Sequence, residues 1–261
     1  MATRPFFLAV AVLPAILLCL AALSAQAELR TSEKSITICQ KTTPSLEREL
    51  ADLDVGLGSP IFIRIFKKSR ELEVWVQPEP AEEYRLFKTY EICTFSGGLG
   101  PKIKEGDERS PEGFYSVGDR QLNPNSQYHL SFDIGYPNAY DKLLGRTGSA
   151  LMIHGDCISV GCFAMTDSRI EEIYTMAEKA LRNGQHSFQV HIFPFRMTTA
   201  SMKKHKKSKW LAFWKNLKEG YDFFEETHTP PKISVAESRY VFAPDYPETA
   251  KNQRKKTKLY N

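Results

Sequence analysis

Residues 149–165 constrain this chain more than any other stretch. Leu151, Met152 and Ile153 form an apolar run that predicts a buried strand, and the pattern turns polar and glycine-bearing at His154. Cys157 and Cys162 follow before a helical pattern takes over. A strand end that delivers an imidazole, followed by a short loop that delivers a thiol, can assemble a Cys–His nucleophilic site. His154 and Cys162 are 8 residues apart, so one tight loop brings ring and sulfur together. A free thiol, with a pKa near about 8.5, is a weak nucleophile until a base or a cation stabilises its thiolate. His154 is the candidate base. Gly161 would let backbone N–H groups approach a reacting carbonyl and bind its oxyanion. The same residues also read as a buried structural pair, and the residues alone leave both readings open.

The start of the chain bears on how the cysteines are read. Arg4 gives a positive n-region, residues 6–23 an apolar h-region interrupted by Pro14, and Ala25-Gln26-Ala27 a cleavage signal, so residues 1–27 read as a signal peptide. An uncleaved membrane anchor is the competing reading, because the apolar run is nearly long enough to span. Bulky Leu18 before Cys19 argues against a lipoprotein signal. The expectation is an exported protein with no stable membrane insertion after cleavage. Cys39, Cys93, Cys157 and Cys162 would then meet an oxidising compartment, yet four cysteines are too sparse to be the main source of stability. The net charge of +4 is no nucleic-acid signature. Lysines crowd 203–207, and Arg254, Lys255 and Lys256 follow near the end, as a solvated face or as a patch that attracts an anionic envelope polymer.

The remaining pattern predicts an α+β domain. After a polar lead-in from Glu28, Thr43 and Pro44 start a helix that Gly56 and Gly58 end. Residues 61–66 and 72–76 read as a hairpin and 84–94 as a third strand. Residues 114–117 and 128–134 follow as strands between long loops at 96–113 and 135–148. Ser168 and Glu171 form a candidate capping box for a helix closed by Gly184, and 188–192 returns as a strand. From Arg196 the chain is helical, with Trp210, Phe213, Trp214, Leu217, Tyr221 and Phe224 as a stripe suited to covering a sheet face. Residues 235–242 carry no clear pattern, and the basic tail after Pro244 reads as disordered. The organisation is therefore 1–27 signal peptide, 28–60 lead-in and helix, 61–195 core domain, 196–243 helical extension packed on the core, and 244–261 tail.

Several separated motifs resemble one family. His154-Gly155 followed by Ser159-x-Gly161-Cys162 is similar to the signature of the YkuD-type L,D-transpeptidases. Upstream, Gly106-Asp107-x-x-Ser110-Pro111-x-Gly113-x-Tyr115 resembles that family's segment entering a core strand. Residues 122–132, 135–141 and 161–166 resemble the family's YafK branch, and the likeness covers roughly 61–195. The resemblance implies a β-rich sandwich core with flanking helices, one before the core and several at the C-terminal end. It also implies a peptidoglycan enzyme with no cofactor, in which Cys162 attacks the carbonyl at the L-centre of diaminopimelate in a stem peptide. The acyl-enzyme then passes to an amine, or to water in a hydrolase that frees a wall-attached lipoprotein from diaminopimelate. His154 would be the base, Ser159 would orient the histidine or the loop, and N–H groups near Gly155, Gly161 and Cys162 would bind the oxyanion. His129 is either a second active-site imidazole or a satisfied strand histidine.

Two departures stand out. The segment between His154 and Cys162 is shorter than in common members, and Ala164 stands where an arginine is usual, a residue suited to a substrate carboxylate. Arg146 and Arg169 are the candidate replacements, or plain surface charges. Three rival readings stand beside this one: a zinc site from His154, Cys157, Cys162 and His129, a non-catalytic wall-binding module that needs no thiol, and a redox pair of Cys157 with Cys162. If Cys157 does not pair with Cys162 as a switch, it reads as a small apolar filler under the loop.

Overall fold

The computed structural model describes residues 29–80 and 82–245. The expected signal segment and the tail beyond Asp245 lie outside the described residues. The first helix, α1, runs Glu33–Ala51, beginning well before the expected start at Thr43. Ser32 caps it through a reciprocal box with Ser35, and Pro44 lies in its interior. Packing outweighs the proline's lost donor here: Ile38, Cys39, Thr42, Leu46 and Leu50 recur at helical spacing across Pro44 and are all buried.

Two five-stranded sheets follow. The first joins β1 (Ile61–Phe66), β2 (Glu71–Val76) and β3 (Arg85–Glu91) to the later strands β5 (Gly113–Gly118) and β10 (Ser187–Phe193), in the order β3-β2-β1-β10-β5. The expected single strand over 84–94 divides, because after Glu91 the chain crosses to the second sheet as β4 (Thr94–Phe95). β5 (Gly113–Gly118) returns to the edge of the first sheet. The second sheet is completed by β6 (Leu122–Asn123), β7 (Ser131–Asp133), β8 (Met152–His154) and β9 (Phe163–Ala164), in the order β4-β9-β8-β7-β6. β7 is shorter than the predicted 128–134, and His129 adopts a left-handed φ of 64°, outside the extended region of a regular strand. The loop expected over 135–148 contains a short helix, α2 (Ala139–Leu143), whose N-cap Asn138 forms a box with Asp141.

α3 (Asp167–Arg182) packs on α1 and touches β1, β7 and β8. Its N-cap is Thr166, and the expected box from Ser168 does not form; the Ser168 hydroxyl meets that of Thr166 instead. β10 (Ser187–Phe193) pairs parallel to β1. One face of each sheet joins a shared core, with Ile63, Val74, Val117 and Val190 from the first and Leu122, Phe132, Ile153 and Phe163 from the second. The sandwich expectation holds in this form. The helical extension is two helices, α4 (Thr199–Lys204) and α5 (Leu211–Thr227). α5 sets Trp214, Leu217, Tyr221 and Phe224 against Phe62, Phe66, Trp75 and Phe193 on the outer face of the first sheet. A hairpin of β11 (Lys232–Ala236) and β12 (Arg239–Ala243) closes that layer where the sequence carried no pattern.

That outer face buries His191 completely, between the rings of Phe62 and Phe114. Its Nε2 donates to Gln189 Oε1 at 2.9 Å, and its Nδ1 has no partner. Burial, reinforced by Arg64, pushes the imidazole well below its ordinary value. A histidine kept neutral in the fold but free to charge when unfolded stabilises the protein above about pH 6.5. That stability is lost as the pH falls from there towards the folded-state value. Urea titrations at pH 7 and pH 5 should therefore show a smaller acid loss in His191→Phe than in the parent protein.

Candidate active site

The second sheet places the predicted pair. β8 runs parallel to β9 with Ile153 opposite Phe163 and His154 opposite Ala164. Extending that register by one residue sets Cys162 beside Met152, so Cys162, Met152 and His154 share the face opposite the core residues Ile153 and Phe163. Between the strands the backbone turns sharply through left-handed Asp156 and Cys157, with φ of 65° and 51°. Gly161 has a φ of 92°, and a side chain there would also press on Leu151 at 3.3 Å. Gly155 is required for a different reason: a Cβ would lie 2.6 Å from Asp167 Oδ1 and 2.9 Å from His129 Cβ.

His154 is only 3% exposed, and its Nδ1 lies 2.7 Å from the Gly155 carbonyl oxygen. A carbonyl can only accept, so Nδ1 carries the proton and Nε2 presents its lone pair. The Tyr128 ring lies 4.9 Å from the imidazole. Burial lowers the pKa of His154, and the Gly155 carbonyl and Asp156 oppose the shift only partly. Cys162 is partly exposed; its Sγ accepts the Met152 N–H at 3.3 Å and faces the Ala150 carbonyl at 3.8 Å. Burial raises the thiol, with Asp133 acting in the same sense and the Met152 N–H and Lys102 against it. Both groups are therefore driven towards their neutral forms at rest. This arrangement suits general-base activation of a thiol rather than a preformed ion pair.

The backbone around Cys162 is held by hydroxyls. Ser110 Oγ and Ser159 Oγ both donate to the Cys162 carbonyl, at 3.0 and 2.8 Å, and Ser96 Oγ accepts the Gly161 N–H at 2.5 Å. Ser159 thus orients the loop, and its partner is the cysteine's backbone rather than the histidine. With its N–H committed to Ser96, Gly161 has no donor directed at an oxyanion in this structure. The Gly155 N–H likewise bonds Tyr128 O and Leu130 O.

Behind Ser110 lies a pair that sequence reading missed. Lys67 Nζ donates to Ser110 O at 2.9 Å, to Gly100 O at 3.0 Å and to Glu112 Oε1 at 3.1 Å. Both side chains of this ion pair are fully buried. Glu112 also accepts from Gly100 N–H and from Trp214 Nε1, which ties α5 to the same loop. Asp107 folds the preceding turn: burial pushes its carboxyl up, but Lys102 and three backbone N–H groups hold it down at about 2.

Cys157 forms a disulfide with Cys93, with Cα atoms 5.3 Å apart. Both earlier readings of Cys157, a switch with Cys162 and an apolar filler, are thereby corrected; its partner comes from the crossing between β3 and β4. The zinc reading loses Cys157 as a ligand, and the redox pair loses its geometry. The bond closes a loop with a sequence separation of 64, for which chain entropy predicts a contribution of about 4 kcal/mol, with about 2–4 typical. Cys157→Ala should lower the unfolding free energy in urea by about 2–4 kcal/mol, with reductant giving the parent protein a similar loss.

Comparison with known proteins now decides the family. Residues 61–192 match the model of the YkuD L,D-transpeptidase catalytic domain. The Escherichia coli K12 protein named "Putative L,D-transpeptidase YafK" is 54% identical over 185 residues, covering 71% of this chain and 74% of that one. The chain belongs to the YkuD family of L,D-transpeptidases. Solved structures overlap more distantly. Pgp2, a helical cell shape determining protein of Campylobacter jejuni, covers 77% of this chain and 84% of its own at 19% identity and a TM-score of 0.41. Bd1075 of Bdellovibrio bacteriovorus covers 69% and 78% at 18% identity and a TM-score of 0.37.

The remaining YkuD-family candidates are placed by their partners. His129 Nε2 lies 3.0 Å from Glu171 Oε1 on α3, and Lys34 of α1 bonds its carbonyl. Its contacts are those of a histidine tying the segment before β7 to the helices. Arg146 is buried against Asp141 at 2.7 Å and sits over the rings of Tyr140 and Phe213. Arg169 pairs with Glu91 at 3.1 Å. Neither arginine is left unpaired to take over for the one replaced by Ala164.

Proposed function

We propose that this YkuD-family chain forms a Cys162 acyl-enzyme at the L-centre carbonyl of diaminopimelate in a peptidoglycan stem peptide and transfers it to an amine. The observation that carries the reading is the His154 ring, locked by Gly155 with Nε2 unprotonated on the sheet face that bears Cys162. His154 Nε2 takes the thiol proton and the sulfur attacks the carbonyl carbon. The C–N bond to the leaving group breaks as that nitrogen receives the proton back from Nε2, leaving a thioester. An acceptor amine then gives a proton to Nε2 and displaces the sulfur, which is reprotonated.

Water in place of the amine gives hydrolysis, including release of a lipoprotein held on diaminopimelate. Both outcomes share the acyl-enzyme, and the acceptor decides between them. Incubation with purified stem peptides, with and without an attached lysine-terminated peptide, distinguishes them by product mass: exchanged or cross-linked products indicate transfer, and a stem peptide ending in a free diaminopimelate carboxylate indicates hydrolysis. Absence of all three, with intact folded protein, contradicts the proposal.

Action on peptidoglycan fits an exported protein, and export to the periplasm of a Gram-negative bacterium belongs to the same proposal. Among the described residues, no helix is long and apolar enough to cross a membrane. N-terminal sequencing of protein from the cell envelope should begin at or near Glu28; a retained Met1 segment in the membrane fraction contradicts it.

A further inference from the structure

A carboxylate faces the nucleophile from across the sheet. β7 pairs with β8 so that Asp133 lies opposite Met152 and Ser131 opposite His154. Paired residues share a face, so Asp133, Met152 and Cys162 form one row, with core residues Phe132, Ile153 and Phe163 on the other side. Met152 links the row directly through its N–H to Cys162 Sγ. Asp133 is half-buried, and Oδ1 accepts the Gly135 N–H at 2.7 Å. Among the described residues, Asp133 has no cationic partner. Burial pushes its carboxyl up, and its charge in turn helps to push the thiol up. Lys102 acts on the sulfur in the opposite sense, but its ammonium is held by Asp107 and the Lys104 carbonyl. His154, the other titratable neighbour, is driven neutral. A negative group beside a sulfur that must become negative opposes the resting enzyme's own chemistry. An incoming cation would remove that opposition.

We propose that Asp133 binds the free ammonium at the far end of the substrate's diaminopimelate, so that correct substrate both docks on and neutralises the carboxylate beside Cys162. This rests on the reading of Cys162 given above. The dimensions agree. Strands lie about 4.8 Å apart, which puts the backbones of β7 and β9 about 10 Å apart across β8. Six bonds separate the attacked carbonyl carbon from the far nitrogen, a span of about 7 Å when extended. An N–H···O contact of about 2.8 Å completes the reach. The free amine thereby becomes a determinant of specificity, and the thiol is most reactive only when that amine is seated.

The test compares two stem peptides, one with the free amine and one acetylated there, on the parent protein, Asp133→Asn and Cys162→Ala. Asparagine keeps the acceptor for Gly135, and a thermal melt checks that the fold is retained. The parent should prefer the free amine by about tenfold to a hundredfold in kcat/KM, the worth of a charge-assisted hydrogen bond. That preference should collapse towards unity in Asp133→Asn. Without substrate, iodoacetamide should alkylate Cys162 about two- to tenfold faster in Asp133→Asn, since an opposing charge is gone. A parent indifferent to acetylation, a preference retained in the variant, or alkylation that is no faster overturns this inference and leaves the role of Cys162 standing. Absence of any Cys162-dependent turnover on either peptide overturns the proposed function and this inference with it.

Discussion

Cys162→Ser and His154→Ala should each lower turnover by at least about a thousandfold while leaving the fold intact. Serine preserves the hydroxyl-held loop, because Ser96, Ser110 and Ser159 bond the backbone at Gly161 and Cys162 rather than the sulfur. What it loses is a group acidic enough for a buried neutral imidazole to deprotonate. Alanine at 154 removes the acceptor that takes the thiol proton and later protonates the leaving amine. The two residues act as one unit, so the double variant should be little worse than either single one. Since burial lowers the pKa of His154, the acid limb of kcat/KM should lie below the ordinary value of about 6.5, with activity falling as the pH drops through that limb. Equilibrium urea unfolding and rates on stem peptides together separate loss of chemistry from loss of fold.

Lys67→Met should be strongly destabilising. It leaves Glu112 fully buried with hydrogen bonds from Gly100 and Trp214 but without its countercharge. Removing one partner of a buried pair costs about 3–5 kcal/mol, because the other charge stays uncompensated. For a domain of this size that corresponds to a fall in Tm of roughly 10 °C. Replacing both partners, as Lys67→Met with Glu112→Leu, should recover part of the loss. Activity should fall further than stability alone explains, since Lys67 holds the Ser110 carbonyl and Ser110 holds the Cys162 carbonyl. A Lys67→Met protein with parental Tm and activity would remove this pair from the account.

The site's two central residues were legible because both fall on one short stretch with a strand ahead of them and a glycine before the cysteine. The hairpin β1–β2 was legible from apolar runs around a polar turn, and the α5 stripe from its period. What the sequence hid is long-range. Cys93 meets Cys157 only because the chain leaves the first sheet after Glu91 and enters the second at Thr94, a crossing with no local marker. Ser96 reaches Gly161 from 65 residues away and Ser110 reaches Cys162 from 52, and a hydroxyl's partner is not written in its neighbours. Pro44 reads as a helix start, but its helix-breaking tendency is outweighed by a buried face of α1 that packs on α3. The β11–β12 turn runs through left-handed Glu237 and Ser238, neither of which is a turn signal in that conformation.

The most direct test of the central claim is the intact mass of protein quenched in acid during turnover of a diaminopimelate stem peptide, followed by peptide mapping. A thioester adduct is expected on the peptide carrying Cys162, absent in Cys162→Ala and labile to hydroxylamine. An adduct on another residue, or full turnover by Cys162→Ala, would contradict it.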